Sequence, residues 1–106
     1  MPNRNKQHGT SYERRTVNKG IYGFRKWSSI GLFDVGRLDY VDGKLCFMLI
    51  QNKYSTIKKP YISCEEIQEL DDFITDNRLS SKEYPWLWIG IFKKQAHKKE
   101  ERIRRN

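Results

Sequence analysis

The stretch LFDVGRLDYVDGKLCFMLIQNKYS, residues 32–55, contains two predicted strands joined by a tight turn. Asp42-Gly43 near its centre is a strong signal for a two-residue β-hairpin loop. We therefore predict one strand over residues 32–41 and a second over residues 44–54. The second strand contains LCFMLI, an apolar run without alternation, which indicates a strand covered on both faces and central in its sheet.

Polar residues stand where this apolar strand ends. A hairpin that turns between Asp42 and Gly43 places Asp34 opposite Gln51, because both positions are then equally far from the turn. Gln51 and Lys53 are two residues apart and therefore share one face of the strand. Asp34 stands between two apolar neighbours, where a carboxylate opposes strand propensity and costs free energy if it is buried unpaired. We expect two oxygen ligands and an ammonium group to meet at this point.

The rest of the chain predicts two helices and two further strands. The predicted elements are a short helix opened by a capping box at Thr10–Glu13, a strand over residues 21–26, a helix opened by Ser63 and Glu66 that runs to about Asn77, and a strand over residues 86–92. The predicted order is therefore α-β-β-β-α-β. We expect an α/β fold of α+β character, with a central mixed sheet flanked by helices.

Length and composition indicate one domain inside a cell. The chain has 106 residues, of which we assign 1–8 to a flexible N-terminal arm, 9–92 to the single domain and 93–106 to a basic tail that is helical or disordered until bound. The two cysteines lack metal-ligand spacing, which disfavours a zinc site and a disulfide framework and suits a reducing compartment. Without a signal-like or membrane-length apolar segment, we expect no membrane association and a cytoplasmic location.

The positive charge is unevenly distributed. The net charge is +8, and residues 1–63 carry 12 basic against 4 acidic side chains. Residues 64–78 carry 1 basic and 6 acidic side chains, whereas residues 93–106 carry 7 basic and 2 acidic ones. This pattern is typical of a protein that binds a polyanion through its N-terminal two-thirds and its tail. A merely solubilising surface charge explains it equally well.

The predicted cluster of Asp34, Gln51 and Lys53 has a recognisable chemistry. Carboxylate and carbonyl oxygens around one point suit Mg²⁺ or Mn²⁺, which prefer oxygen ligands. A lysine beside such a cation can orient the attacking water and stabilise charge on a phosphate. The cluster thus favours phosphodiester cleavage. Glu13, on the predicted N-terminal helix, could reach the same edge, although its place in a capping box also explains it without catalysis.

At these residues the chain resembles the PD-(D/E)XK nuclease superfamily, and most closely the archaeal-type Holliday junction resolvases. The resemblance covers residues 9–92. It rests on an ordered set of short motifs: Gly9-Thr-Ser-Tyr-Glu13-Arg14, Phe24-Arg25 followed by Ser28-Ser29, Phe33-Asp34-Val35, and an apolar strand that ends in Gln51-Asn52-Lys53.

The resemblance implies a restriction-endonuclease-like core and a homodimeric, Mg²⁺- or Mn²⁺-dependent endonuclease that acts on branched DNA such as a four-way junction. A viral or archaeal-type source fits it. Glu13, Asp34 and Gln51 would hold the metal ion, and Lys53 would assist the water. The implied DNA contacts are Arg14, Arg25, Lys26, Ser28, Ser29, Lys58 and Lys59.

Gln51 departs from the motif, which usually has glutamate at this position. An amide oxygen can still bind Mg²⁺, but it brings no charge, so we expect weaker metal binding. Some branches of the superfamily are similar in using Gln-x-Lys. Other interpretations stay open: a nuclease-fold protein that binds DNA without cutting it, an exchange introduced to trap a complex, or a basic RNA-binding protein.

Overall fold

The computed structural model describes Tyr12 and residues 14–16, 22–25 and 32–106. The predicted arm at residues 1–8 lies outside the described residues, as do four predicted site residues, Glu13, Lys26, Ser28 and Ser29. The described elements, in chain order, are β1 (Tyr22–Arg25), β2 (Val35–Val41), β3 (Lys44–Ser55), α1 (Cys64–Asp76), β4 (Leu87–Gln95) and β5 (Glu101–Arg104).

The strands form one sheet in the order β1-β2-β3-β4-β5. β3 pairs antiparallel with β2 and parallel with β4, while β1 and β5 pair antiparallel at the two edges. Parallel neighbours cannot be joined by a tight turn, so α1 forms the crossover between β3 and β4. The chain is therefore α+β with a mixed sheet, and the prediction that β3 is central is confirmed.

The β2–β3 hairpin turns where the sequence predicted. Asp42 and Gly43 have φ angles of 52° and 80°, the left-handed backbone that two-residue hairpin loops require. Val35 pairs with Ile50, which confirms the predicted register. Pairing in this register ends at Val35 and Ile50; Asp34 N donates to Ile50 O, so the predicted alignment of Asp34 with Gln51 is shifted by one residue.

Helix α1 begins at the predicted capping box. Glu66 N donates a hydrogen bond to Ser63 Oγ at 3.1 Å, and Ser63 N donates to Glu66 Oε2 at 3.4 Å. The helix buries Leu70 and Ile74 against the sheet. Among the described residues, no helix has the length and apolar composition needed to cross a membrane.

The sheet separates two apolar cores. We call the side covered by α1 the helix face; its buried residues are Phe33, Leu70, Ile74, Leu87, Ile89 and Ile91. We call the other side the rear face; its buried residues are Tyr12, Val35, Cys46, Met48, Ile50, Trp88 and Phe92. Apolar side chains on both faces of β3 explain why the LCFMLI run lacks alternation.

The end of the chain corrects the prediction of a helical or disordered tail. β4 continues to Gln95, and the chain then turns at His97 and returns as β5. Ile103 pairs with Ile91 and packs against the helix-face core. An edge strand tolerates many charged side chains because much of it faces solvent. One inward isoleucine, the pairing with β4 and the hydrogen bonds of Arg104, Arg105 and Asn106 hold in place a segment that looks too charged to fold.

Gly90 permits the close approach of β5. A Cβ atom at this position would overlap the carbonyl oxygen of Ile103 and would lie 2.7 Å from the ring of Trp88. We therefore expect Gly90→Ala to lower the free energy of unfolding by about 1–3 kcal/mol, the usual cost of overpacking. Chemical denaturation of the purified variant measures this. An unchanged midpoint would show that β5 does not pack on β4 as described.

Candidate active site

Asp34 lies just before β2, where the regular pairing of the hairpin ends. Its backbone N donates to Ile50 O at 2.9 Å. Its side-chain Oδ2 accepts a hydrogen bond of 2.8 Å from the backbone N of Asn52. The carboxylate thus takes the place of a strand carbonyl, at the amide between Gln51 and Lys53. This hydrogen bond also gives Asp34 a structural role that is independent of catalysis.

Strand alternation assigns Gln51 and Lys53 to one face of the sheet. Gln51 and Lys53 alternate with Ile50, a rear-face residue, and therefore belong to the helix face. Val35 belongs to the rear-face core and Phe33 to the helix-face core, so alternation is interrupted at Asp34 and does not assign its side chain to either face. The structure brings all three to the same end of the β2–β3 pair.

Gln51 has an unpaired polar atom. Its Oε1 is buried and accepts no hydrogen bond from any residue that the structure describes. Its neighbour in register on β4 is Ile91, which offers no donor. Leaving a buried acceptor unpaired costs about 1–3 kcal/mol. A buried amide oxygen without a donor is a group that a bound cation would satisfy.

Lys53 is held by the first turn of α1. Its Nζ lies 2.9 Å from Glu66 Oε1, and both side chains are partly exposed. Because Glu66 also closes the capping box, its carboxylate is fixed from two directions. Sequence reasoning assigned Glu66 only to helix capping and missed this contact. One indication was present in the sequence: Glu66 is the only carboxylate in that capping box and could have a second partner.

The donor set at the end of the hairpin fits a hard cation. Within the described part of the chain, no three His, Cys, Asp or Glu side chains are grouped so as to hold a metal ion. Gln51 Oε1 is an amide oxygen, so it is not among these four side-chain types. Glu13 lies outside the described residues. Mg²⁺ is commonly held by one or two protein oxygens and completes its shell with water and phosphate oxygens. Asp34 and Gln51 can supply such a pair.

The rear face anchors the helical residues of the N-terminal segment behind this site. Arg37 is 1% exposed and donates from Nη1 to Thr16 O at 2.7 Å, and its burial lowers the pKa of the guanidinium. Asn52 Nδ2 lies 3.4 Å from Thr16 Oγ1. Tyr12 donates to Glu100 Oε2 at 2.6 Å. Sequence reasoning missed Arg37, since an arginine in a strand gives no sign that it is buried.

The predicted DNA contacts lie in different parts of the structure. Arg14 is exposed in the N-terminal helical residues. Arg25 occupies the last position of β1 and pairs with Val35, next to Asp34. Lys58 and Lys59 are exposed in the loop after β3, and Lys59 Nζ lies 3.4 Å from Glu101 Oε1.

Further lysines collect at the same end of the sheet. Lys93 pairs in register with Lys53 across β3 and β4. Lys98 and Lys99 follow at the turn into β5 and line a shallow depression with Lys59 and Lys93. Because β3 and β4 are parallel, both end here, so these lysines lie at the same end of the sheet as the polar cluster.

The described residues thus combine a carboxylate, an unpaired amide oxygen and an ammonium group at a basic end of the sheet. No protein-family model, curated protein or solved structure matches the chain. The residues and their arrangement are therefore the basis on which a function can be proposed.

Proposed function

We propose that the chain is a Mg²⁺- or Mn²⁺-dependent endonuclease that hydrolyses phosphodiester bonds in DNA. The observation that carries this proposal is the Asp34 carboxylate, bound to the backbone between Gln51 and Lys53 at 2.8 Å from Asn52 N. The element order supports it, because three antiparallel strands, a crossover helix and a strand parallel to the third are what a restriction-endonuclease-like core requires.

Each residue of the cluster has a role in this proposal. Asp34 and Gln51 would hold the cation, and Glu13 is a further candidate. The cation, when bound, supplies Lewis acidity that polarises the phosphate and makes water a better nucleophile. The positive charge of Lys53 would stabilise the negative charge that develops on the phosphate during the reaction. Glu66 is a positioning residue that holds the Lys53 ammonium group through their 2.9 Å contact.

The proposed substrate is branched DNA, and the proposed assembly is a homodimer. A basic end of the sheet next to the cluster supports a polyanionic substrate, because lysine contacts to phosphate release counterions and favour binding. Two copies of the chain would present two sites to the two strands that must be cut at a four-way junction. The proposed phosphate contacts are Arg14, Arg25, Lys26, Ser28, Ser29, Lys58 and Lys59.

A second candidate is a nuclease-fold protein that binds DNA without cutting it. Two observations favour this alternative: Gln51 brings no charge to a cation, and Lys53 is already paired with Glu66. In that case the basic end of the sheet would serve binding alone.

Cleavage of defined DNA structures separates the candidates. We expect the purified protein to cut a synthetic four-way junction in Mg²⁺ or Mn²⁺ and to leave it intact in EDTA. Flaps and linear duplex of the same sequence test its selectivity. Junction binding without cutting would support the second candidate, and stronger binding of RNA at matched salt would contradict both.

A further inference from the structure

A cleft of about 480 Å³ lies on the helix face beside the candidate active site. Ligand pockets usually measure roughly 300–1,000 Å³, so the cleft can hold a small organic group. Its floor is formed by isoleucine side chains, Ile62, Ile67, Ile91 and Ile103. Its rim carries cations and one aromatic ring, Lys59, Lys93, Arg105 and Tyr61.

The strand register connects this cleft to the polar cluster. On β4, Ile91 pairs with Gln51, and Lys93 pairs with Lys53. Neighbouring strands are about 4.8 Å apart, so the cleft begins one strand away from the proposed cation ligands. On α1, Ile67 of the cleft floor directly follows Glu66, the partner of Lys53. A ligand that contacts both the cleft and the polar cluster would be about as long as one nucleotide.

The residues that line the cleft favour a flat, apolar ligand that carries a negative charge. Tyr61 is 76% exposed, so its ring is available for stacking at the lip of the cleft. The cations differ in availability: Arg105 is paired with Asp71 at 2.5 Å and Lys59 with Glu101 at 3.4 Å. The Lys93 side chain makes no hydrogen bond or ion pair with the described residues. Lys93 is therefore the cation best placed to meet an anionic ligand.

We propose that the cleft binds one unstacked nucleotide of the DNA next to the phosphate at the polar cluster. Tyr61 stacks on the base, the isoleucine floor covers its other side, and Lys93 contacts the phosphate. The inference rests on the proposed function for its substrate, DNA, but needs no cleavage. A paired base must first leave the duplex, and this unstacking costs least for a base that is already unpaired. The preferred substrate class is thus DNA with an unpaired nucleotide, such as a bulge or an imperfectly paired branch point.

Binding in EDTA tests the inference separately from catalysis. The probes are a short labelled duplex and the same duplex with one additional unpaired thymidine, and fluorescence anisotropy gives the two dissociation constants. We expect the wild-type protein to prefer the bulged probe by about 5-fold or more, the effect of stacking one base on an aromatic ring. Tyr61→Ala should reduce this preference towards 1, whereas Tyr61→Phe should keep it. Lys93→Gln should weaken binding of both probes.

Tyr40 provides a matched control. It is 62% exposed near the Asp42-Gly43 turn, at the opposite end of β2 from Asp34, so Tyr40→Ala should leave the preference unchanged. Equal affinity of the wild type for both probes, or an undiminished preference in Tyr61→Ala, would overturn the assignment of the cleft. Cleavage without a preference for the bulge would refute the cleft alone, and a preference without cleavage would refute the catalytic proposal alone.

Discussion

Replacing Asp34 with asparagine is expected to abolish metal-dependent cleavage while leaving DNA binding close to that of the wild type. Asparagine keeps a side-chain oxygen that can accept the hydrogen bond now made by Asn52 N at 2.8 Å, so the start of β2 should keep its structure. It removes the charge that a divalent cation needs. We expect the cleavage rate in Mg²⁺ to fall at least about 100-fold, as for the loss of one main electrostatic group in an active site.

Two further variants separate catalysis from structure at this position. Asp34→Ala removes the acceptor as well as the charge and should also lower the free energy of unfolding by about 1–3 kcal/mol. Asp42→Asn removes a carboxylate from the exposed turn of the same hairpin and should leave cleavage unchanged. If Asp34→Asn cuts a four-way junction at the wild-type rate, Asp34 serves strand pairing alone and the catalytic proposal is wrong.

Gln51→Glu should strengthen cation binding and make stability depend on it. A second carboxylate beside Asp34 raises the negative charge of the site, and ligand charge controls affinity for hard cations. We expect the Mg²⁺ concentration for half-maximal cleavage to fall by about 10-fold. Without a cation the two carboxylates repel each other and one is poorly solvated. The variant should therefore unfold at a lower temperature than the wild type in EDTA and regain stability when Mg²⁺ is added.

The control for this change is Gln95→Glu, which adds the same charge at the partly exposed end of β4. Its melting temperature should not respond specifically to Mg²⁺. If the melting temperature of Gln51→Glu is lowered equally with and without Mg²⁺, the side-chain oxygen at position 51 does not bind a cation. If the wild type is inactive and Gln51→Glu creates cleavage, the missing charge explains the loss, and the non-cleaving candidate is correct.

The hairpin and its polar end could be predicted because the controlling forces are local. The Asp42-Gly43 turn sets the register, and strand alternation then determines which residues share a face. These two rules bring Asp34 to the polar end of β3 without any knowledge of the rest of the fold, but they do not predict the one-residue shift by which Asp34 N donates to Ile50 O. The capping box of α1 is equally local, which is why the start of this helix was predicted correctly.

The features that sequence reasoning missed depend on contacts between distant segments. β5 is ordered by pairing with β4, and a single isoleucine, Ile103, decides which of its faces turns inward. The contact of Lys53 with Glu66 depends on the path of the loop that leads to α1. Arg37 is buried because Thr16 O accepts its hydrogen bond and Asp39 lies 3.0 Å from its Nη2. None of these partners is marked by spacing along the chain.

Crystals grown or soaked with Mn²⁺ would show most directly whether Asp34 and Gln51 form a cation site, because Mn²⁺ gives an anomalous X-ray signal. We predict a peak at roughly 2.0–2.2 Å from one carboxylate oxygen of Asp34 and from Gln51 Oε1, the range for small divalent cations. The peak should be lost in Asp34→Asn. Crystals that bind Mn²⁺ elsewhere, or nowhere, with both oxygens in contact only with protein or water, would contradict the proposed metal-dependent nuclease.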